Sequence, residues 1–177
     1  MTAAAGSPRY DVATVFDGSS YIQLRNQLHN IKDEITANIW IKRDWTTNAG
    51  TPFGCVESGG WGWQCRNANI AVLVGTGTSS NTYISQEISM AGFSSDWHML
   101  SFTYDGYDLK VYIDGIINLT INKYETKTPI YYNNSAGLFI GAEAKSSLTA
   151  PDTSSKWPKL TGSLSDFRVY AVALTAD

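Results

Sequence analysis

Charge is scarce in this chain: Asp, Glu, Lys and Arg make up 16% of its 177 residues, against roughly 25% in an ordinary soluble domain. Basic clusters are missing as well. The 13 Lys and Arg residues are scattered and the formal net charge is −3, which argues against a nucleic-acid partner, since phosphate tracking needs a basic stripe. No apolar run approaches the ~18 residues of a membrane-spanning helix, so membrane insertion is not expected. The start, Met1-Thr2-Ala3-Ala4-Ala5-Gly6-Ser7-Pro8, lacks the apolar stretch of a secretory leader. The two cysteines, Cys55 and Cys65, are too few and too separated for a zinc site. Helical periodicity is nearly absent, and only Leu24 to Ile31 has room for a short helical turn.

What remains is a chain rich in strand formers and neutral hydrogen-bonding residues. It is 43% hydrophobic and 12% aromatic, and Ser, Thr, Asn and Gly fill the polar positions where charge is missing. Such a surface suits contact with sugars better than contact with polyanions. The clearest local signal is Trp97–Tyr104, then Asp105-Gly106, Leu109–Ile113, Asp114-Gly115 and Ile116–Ile121. Asp-Gly pairs accept the positive φ angles of tight hairpins, so these residues predict a three-stranded antiparallel meander. Further strands are predicted at Val12–Phe16, Tyr21–Leu24, Glu34–Lys42, Phe53–Glu57, Trp63–Arg66, Ile70–Val74, Thr82–Ile88, Gly137–Gly141 and Leu160–Tyr170. A dozen short strands with Gly, Asn, Asp and Ser turns mean an all-β sandwich or barrel. The length fits one domain, read as residues 12–177, with 1–11 as an extension or linker. The chain reads as a domain cut from a longer protein, ending one turn after its last strand. Glu143 to Lys159 is the longest irregular stretch, and a loop of that length is usually functional or mobile.

The order of motifs resembles a known family. Phe16-Asp17-Gly18-Ser19-Ser20-Tyr21-Ile22 is followed by Ile35-Thr36-Ala37-Asn38-Ile39-Trp40-Ile41-Lys42 and by the meander. Leu138-Phe139-Ile140-Gly141 and Gly162-Ser163-Leu164-Ser165-Asp166-Phe167-Arg168-Val169-Tyr170 complete the set. Together they resemble the laminin G-like branch of the concanavalin A-like lectin/glucanase superfamily over roughly Val12 to Leu174. The resemblance implies a two-sheet antiparallel jelly-roll β-sandwich, with binding on the concave sheet or its rim loops. It also implies that the strands carrying Asp17 and Asp166 are neighbours and that these aspartates help hold a structural calcium ion, which takes several oxygen ligands. From the residues alone, Asp17-Gly18 reads equally as a turn and Asp166 as an ion-pair partner of Arg168. The Cys55–Trp61 segment is similar to copies of this domain in bacteriophage tail or surface proteins.

Trp61-Gly62-Trp63 after Gly59-Gly60 reads as a hairpin tip with both indoles on one side. Exposed indoles stack on sugar rings; the competing reading places one Trp in the core and the other in a gap between loops. Trp45 and Trp157 sit in polar loop contexts and are comparable candidates, whereas Trp40 and Trp97 read as core. The ligand-binding set is therefore Trp61, Trp63, Trp45, Asn67 and Asn69. Catalysis is not expected. A glycosidase needs two carboxyls across the scissile bond, the Glu-x-Asp-x-x-Glu spacing of the glucanase branch is absent, and Glu57 has no partner two or four residues away. Neither His29 nor His98 is followed by a nucleophile elbow. Cys55 and Cys65 fit a cross-strand disulfide or two free thiols. Asn118-Leu119-Thr120 and Asn133-Asn134-Ser135 are weak glycosylation-type triplets. The expected function is a non-catalytic recognition module for a cell-surface glycan, extracellular or on a virion surface and part of a multimeric particle. The alternative is a domain that binds a surface protein or decorates a phage tail or capsid.

Overall fold

The computed structural model describes residues 2–5, 12–24, 29–48, 50–57, 59–77, 82–132, 137–145, 150–152, 154 and 158–175, the side chains of residues 2–5 and of Arg66 excepted. Thirteen strands are described: β1 (Thr2–Ala5), β2 (Val12–Asp17), β3 (Ile22–Leu24), β4 (Ile35–Lys42), β5 (Phe53–Gly54), β6 (Trp61–Arg66) and β7 (Asn69–Gly75). They continue with β8 (Tyr83–Ser89), β9 (Trp97–Tyr104), β10 (Asp108–Ile113), β11 (Ile116–Asn122), β12 (Leu138–Ile140) and β13 (Thr161–Tyr170). Two antiparallel sheets result, a seven-stranded one in the order β1-β2-β13-β4-β9-β10-β11 and a six-stranded one in the order β3-β12-β5-β6-β7-β8. This is the all-β, two-sheet jelly-roll sandwich expected. The first and last long strands lie side by side, with Thr14 opposite Leu164 and Asp17 opposite Thr161.

Local turn chemistry explains the meander. Asp114 and Gly115 both take positive φ, 54° and 78°, the pair of angles a two-residue hairpin of matching twist requires. Asp105 works differently: its Oδ1 accepts the N–H groups of Tyr107 (2.9 Å) and Asp108 (2.7 Å), closing the turn from the side chain. The strand at Phe53 is shorter than predicted and the one at Trp63 begins two residues earlier. Residues 2–5, assigned to an extension, pair with β2 and add an edge strand; three alanines carry no strand signal of their own. Half of the helical turn predicted over 24–31, residues 25–28, lies outside the described residues.

Alternation splits each strand between the core and an outer face. Ala37, Ile39 and Ile41 of β4, Leu100, Phe102 and Tyr104 of β9, and Leu109, Val111 and Ile113 of β10 face inward. They meet Trp61, Trp63 and Cys65 of β6 and Ile70, Val72 and Val74 of β7. Phe102 sits between the two indoles, its ring centroid 6.2 Å from Trp61 and 6.1 Å from Trp63. Each buried Val, Leu, Ile or Phe among them contributes about 1.5–3 kcal/mol by transfer alone. In β13 a bulge between Ser165 and Arg168 inserts one residue, and Asp166 there takes φ +50°. The bulge switches parity, so Leu164 before it and Phe167 after it both reach the core.

Candidate functional site

The outer face of the seven-stranded sheet carries a groove of about 280 Å³ over β4, β9 and β10. Register builds it. Arg168, Asn38, Ser101 and Tyr112 form one row across β13, β4, β9 and β10, and Tyr170, Thr36, Thr103 and Lys110 form the next. With strands ~4.8 Å apart, each row runs about 14 Å. The groove floor is neutral: Thr36, Asn38, Ser101, Thr103 and Tyr112 offer hydroxyls and one amide. Four of them are buried although they face away from the core. Part of that cover comes from the C-terminal segment: Thr36 Oγ1 donates to the Val172 carbonyl (2.7 Å) and accepts from the Leu174 N–H (2.8 Å). Met99 lines the groove, and Trp40 and Trp97 stand half-buried on the same face.

The tryptophan assignment is therefore inverted. Trp61 and Trp63 are 0% exposed and Trp45 is 2% exposed, so none presents an indole face to a ligand. The Gly59-Gly60 pair does lie in the loop that joins the antiparallel β5 and β6, but that loop folds back in a close backbone crossing instead of standing free. Gly60 has φ +78°, and a Cβ there would lie 2.2 Å from the Cys55 carbonyl oxygen. That crossing delivers Trp61 to the interior, where its Nε1–H donates to the His29 carbonyl (3.1 Å). Trp45 is held under the buried Arg43 guanidinium, 4.8 Å from its ring centroid. Trp40, by contrast, is on the outer face. Its signal was present in β4, where Ile35, Ala37, Ile39 and Ile41 alternate with Thr36, Asn38, Trp40 and Lys42. Asn67, exposed at φ +53°, and Asn69 sit at the β6–β7 turn of the other sheet, away from the groove. Trp157 and the triplet at Asn133 lie outside the described residues.

The proposed calcium pair does not converge. Asp17 faces Thr161 at one end of β13, and Asp166 lies five residues further along that strand, roughly 15 Å away at strand rise. Asp17 Oδ1 is taken by the N–H (2.9 Å) and hydroxyl (2.7 Å) of Ser19 and the N–H of Ser20 (3.1 Å). These bonds, the Ser19 hydroxyl first, hold its carboxyl well below the usual range. Asp166 Oδ1 accepts from Arg168 Nε at 2.5 Å. These two aspartates do not fit one shared ion. Cys55 and Cys65 are free and buried. Cys55 exchanges hydrogen bonds with Trp61 (Sγ to the carbonyl 3.5 Å, N–H to Sγ 3.4 Å), while Cys65 pairs with Ile70.

A carboxyl that the sequence did not single out lies at the six-stranded sheet. Glu143 is buried; Gln64 Nε2 donates to its Oε1 (2.8 Å) and Thr51 Oγ1 to its Oε2 (3.3 Å). Burial pushes its pKa up to about 8, against those two bonds, with Glu57 and Asp152 adding like charge. Glu57 is raised too, first by burial and then by Asp152. Among the described residues no group of three His, Cys, Asp or Glu is placed to hold a metal ion.

Solved structures share this architecture at low identity. Domain 4 of AbnA, an extracellular arabinanase from Geobacillus stearothermophilus solved with arabinotriose, matches with a TM-score of 0.68 at 20% identity, over 99% of this chain and 78% of that one. The sialidase CBM40 of Ruminococcus gnavus, solved with α2,3 sialyllactose, matches with a TM-score of 0.67 at 13% identity, over 93% and 92%. Domains LG4-5 of the mouse laminin α1 chain match with a TM-score of 0.65 at 14% identity, over 99% of this chain and 46% of that one. No curated protein sequence matches significantly. The family profile described as the concanavalin A-like lectin/glucanases superfamily matches residues 16–177, and the chain belongs to that superfamily.

Proposed function

We propose that this domain is a recognition module that binds carbohydrate, without cleaving it, in the outer groove of the seven-stranded sheet. One observation carries the reading: a preformed groove floored by Thr36, Asn38, Ser101, Thr103 and Tyr112 and free of carboxylates. Neutral donors and acceptors lose less on desolvation than charges do, which suits a ligand made of hydroxyls. Trp40 and Trp97 beside it supply aromatic faces. The arabinotriose and sialyllactose bound to two structural neighbours support the ligand class. Single-site affinity is expected at ~mM to ~µM, raised by repetition on a multimeric particle, with the glycan on a cell surface and the domain extracellular or on a virion. The test is a glycan array followed by titration of the best hit. Asn38→Ala is expected to weaken binding at least tenfold while the melting temperature stays within about 3 °C, since it removes one amide from a half-buried position. Unchanged affinity in Asn38→Ala and Tyr112→Phe sinks the groove as the site.

A second reading, docking to a protein partner in a tail or capsid, rests on the exposed hairpin tip, where Ile116 is 72% and Ile117 is 52% exposed. Binding to a defined structural protein that Ile117→Asp abolishes, with a blank glycan array, favours it.

A further inference from the structure

We infer that Ser94, His98 and Asp114 form a nucleophile–base–orienter relay that lets Ser94 accept an acyl group from an activated ester. The relay stands apart from the groove reading. The three residues come from the loop before β9, from β9 itself and from the β10–β11 turn. His98 Nδ1 lies 2.8 Å from Asp114 Oδ2, and His98 Nε2 lies 3.3 Å from Ser94 Oγ. Nucleophile and base within hydrogen-bond reach, with the base held by a third group, is the arrangement nucleophilic catalysis needs. Such contacts run long before substrate binds.

The tautomer follows from the partners. Asp114 Oδ1 already accepts the Met99 N–H at 2.8 Å, so the carboxylate is tied in place and its second oxygen accepts from His98 Nδ1–H. Neutral His98 then presents its Nε2 lone pair to the Ser94 hydroxyl. The charged state is provided for as well, because the Ser94 carbonyl lies 3.2 Å from Nε2. An imidazolium formed by proton transfer meets an acceptor at each nitrogen. Phe93 packs against the imidazole at 5.2 Å and Trp45 at 6.3 Å between ring centroids, fixing its plane. Ser94 is exposed; its Oγ also accepts the Asp96 N–H at 3.4 Å. The His98 and Asp114 side chains are 13% and 41% exposed, so the nucleophile is open and the base sheltered.

In the step, Ser94 Oγ attacks the ester carbonyl carbon as its proton moves to His98 Nε2. The tetrahedral intermediate collapses, the bond from carbonyl carbon to leaving-group oxygen breaks, and the leaving group departs with the proton from His98. Water attacking the acyl-serine by the same route releases the acid and restores Ser94. The relay contributes base and orienter, so the matching acyl class is one whose leaving group needs least help, an aryl ester.

The probe is p-nitrophenyl acetate, read by p-nitrophenolate release and by mass spectrometry of the Ser94 peptide. The intact protein is expected to acetylate Ser94, and Ser94→Ala to lower the rate on the order of 10²-fold, the lower end of general-base catalysis. His98→Ala is expected to lose the rate and regain part of it in added imidazole, which a structural role for His98 does not produce. Asp114 acts through His98 as a positioning residue. Asp114→Asn is expected to move the ring ¹⁵N shifts of His98 toward the Nε2–H tautomer as the rate falls. Acetyl groups spread over lysines, with Ser94→Ala as fast as the parent, overturn the proposal.

Discussion

Glu143→Gln is the sharpest probe of the packing against the six-stranded sheet. Burial raises the Glu143 pKa from an ordinary 4.5 to about 8, so the folded protein holds a proton there that the unfolded chain has released. That contribution is fully present below pH 4.5 and is lost as pH rises through 8. At about 1.4 kcal/mol per tenfold in proton activity, the loss across this window is about 5 kcal/mol. The variant amide stays neutral; its oxygen still accepts from Gln64 and its NH₂ faces Thr51 Oγ1, replacing the two contacts of the parent. At about 2–4 °C per kcal/mol for a chain of this size, Glu143→Gln is expected to match the parent near pH 4.5 and to melt on the order of 10 °C higher once the pH passes 8. Carboxyls held low by hydrogen bonds, such as Asp17, Asp44 and Asp96, stabilise above the ordinary range and lose that effect in acid, outside this window. Their effect cancels in the difference between the two proteins. Thermal melts from pH 4.5 to 9 decide the matter. A parent profile flat over that range, or a variant that falls in parallel with it, refutes the buried-carboxyl argument.

Two further outcomes follow from the placement of the predicted site residues. Trp61→Ala removes a fully buried indole and its bond to the His29 carbonyl and is expected to destabilise by about 3–5 kcal/mol; denaturant unfolding measures it, and a variant of parental stability that has lost glycan binding returns Trp61 to the ligand site. Asp17→Ala is expected to lower the melting temperature equally in calcium and in EDTA, because its carboxylate closes the turn onto Ser19 and Ser20; a loss seen only in calcium restores the metal.

How far the site was legible differs from residue to residue. Alternation in β4 already separated Asn38 and Trp40 from Ile39 and Ile41, so half of the groove was written in the residue order. Its other half was not, because Ser101 and Tyr112 become neighbours of Asn38 only through cross-strand register. The Gly59-Gly60 pair misled for a related reason. A glycine pair marks either a free tip or a place where two backbones touch, and only the packing of Cys55 against Gly60 distinguishes them.

By itself the amino-acid order determined the class and nearly every strand, including the meander, because period-2 alternation and Asp-Gly turns act over a few residues. The tertiary structure alone decided which tryptophans are buried, that Asp17 sits opposite the start of β13 while Asp166 lies at its central bulge, and that Ser94, His98 and Asp114 meet. These are contacts between segments distant in the chain. They depend on how two sheets stack and where a bulge shifts the register, and no local propensity encodes either.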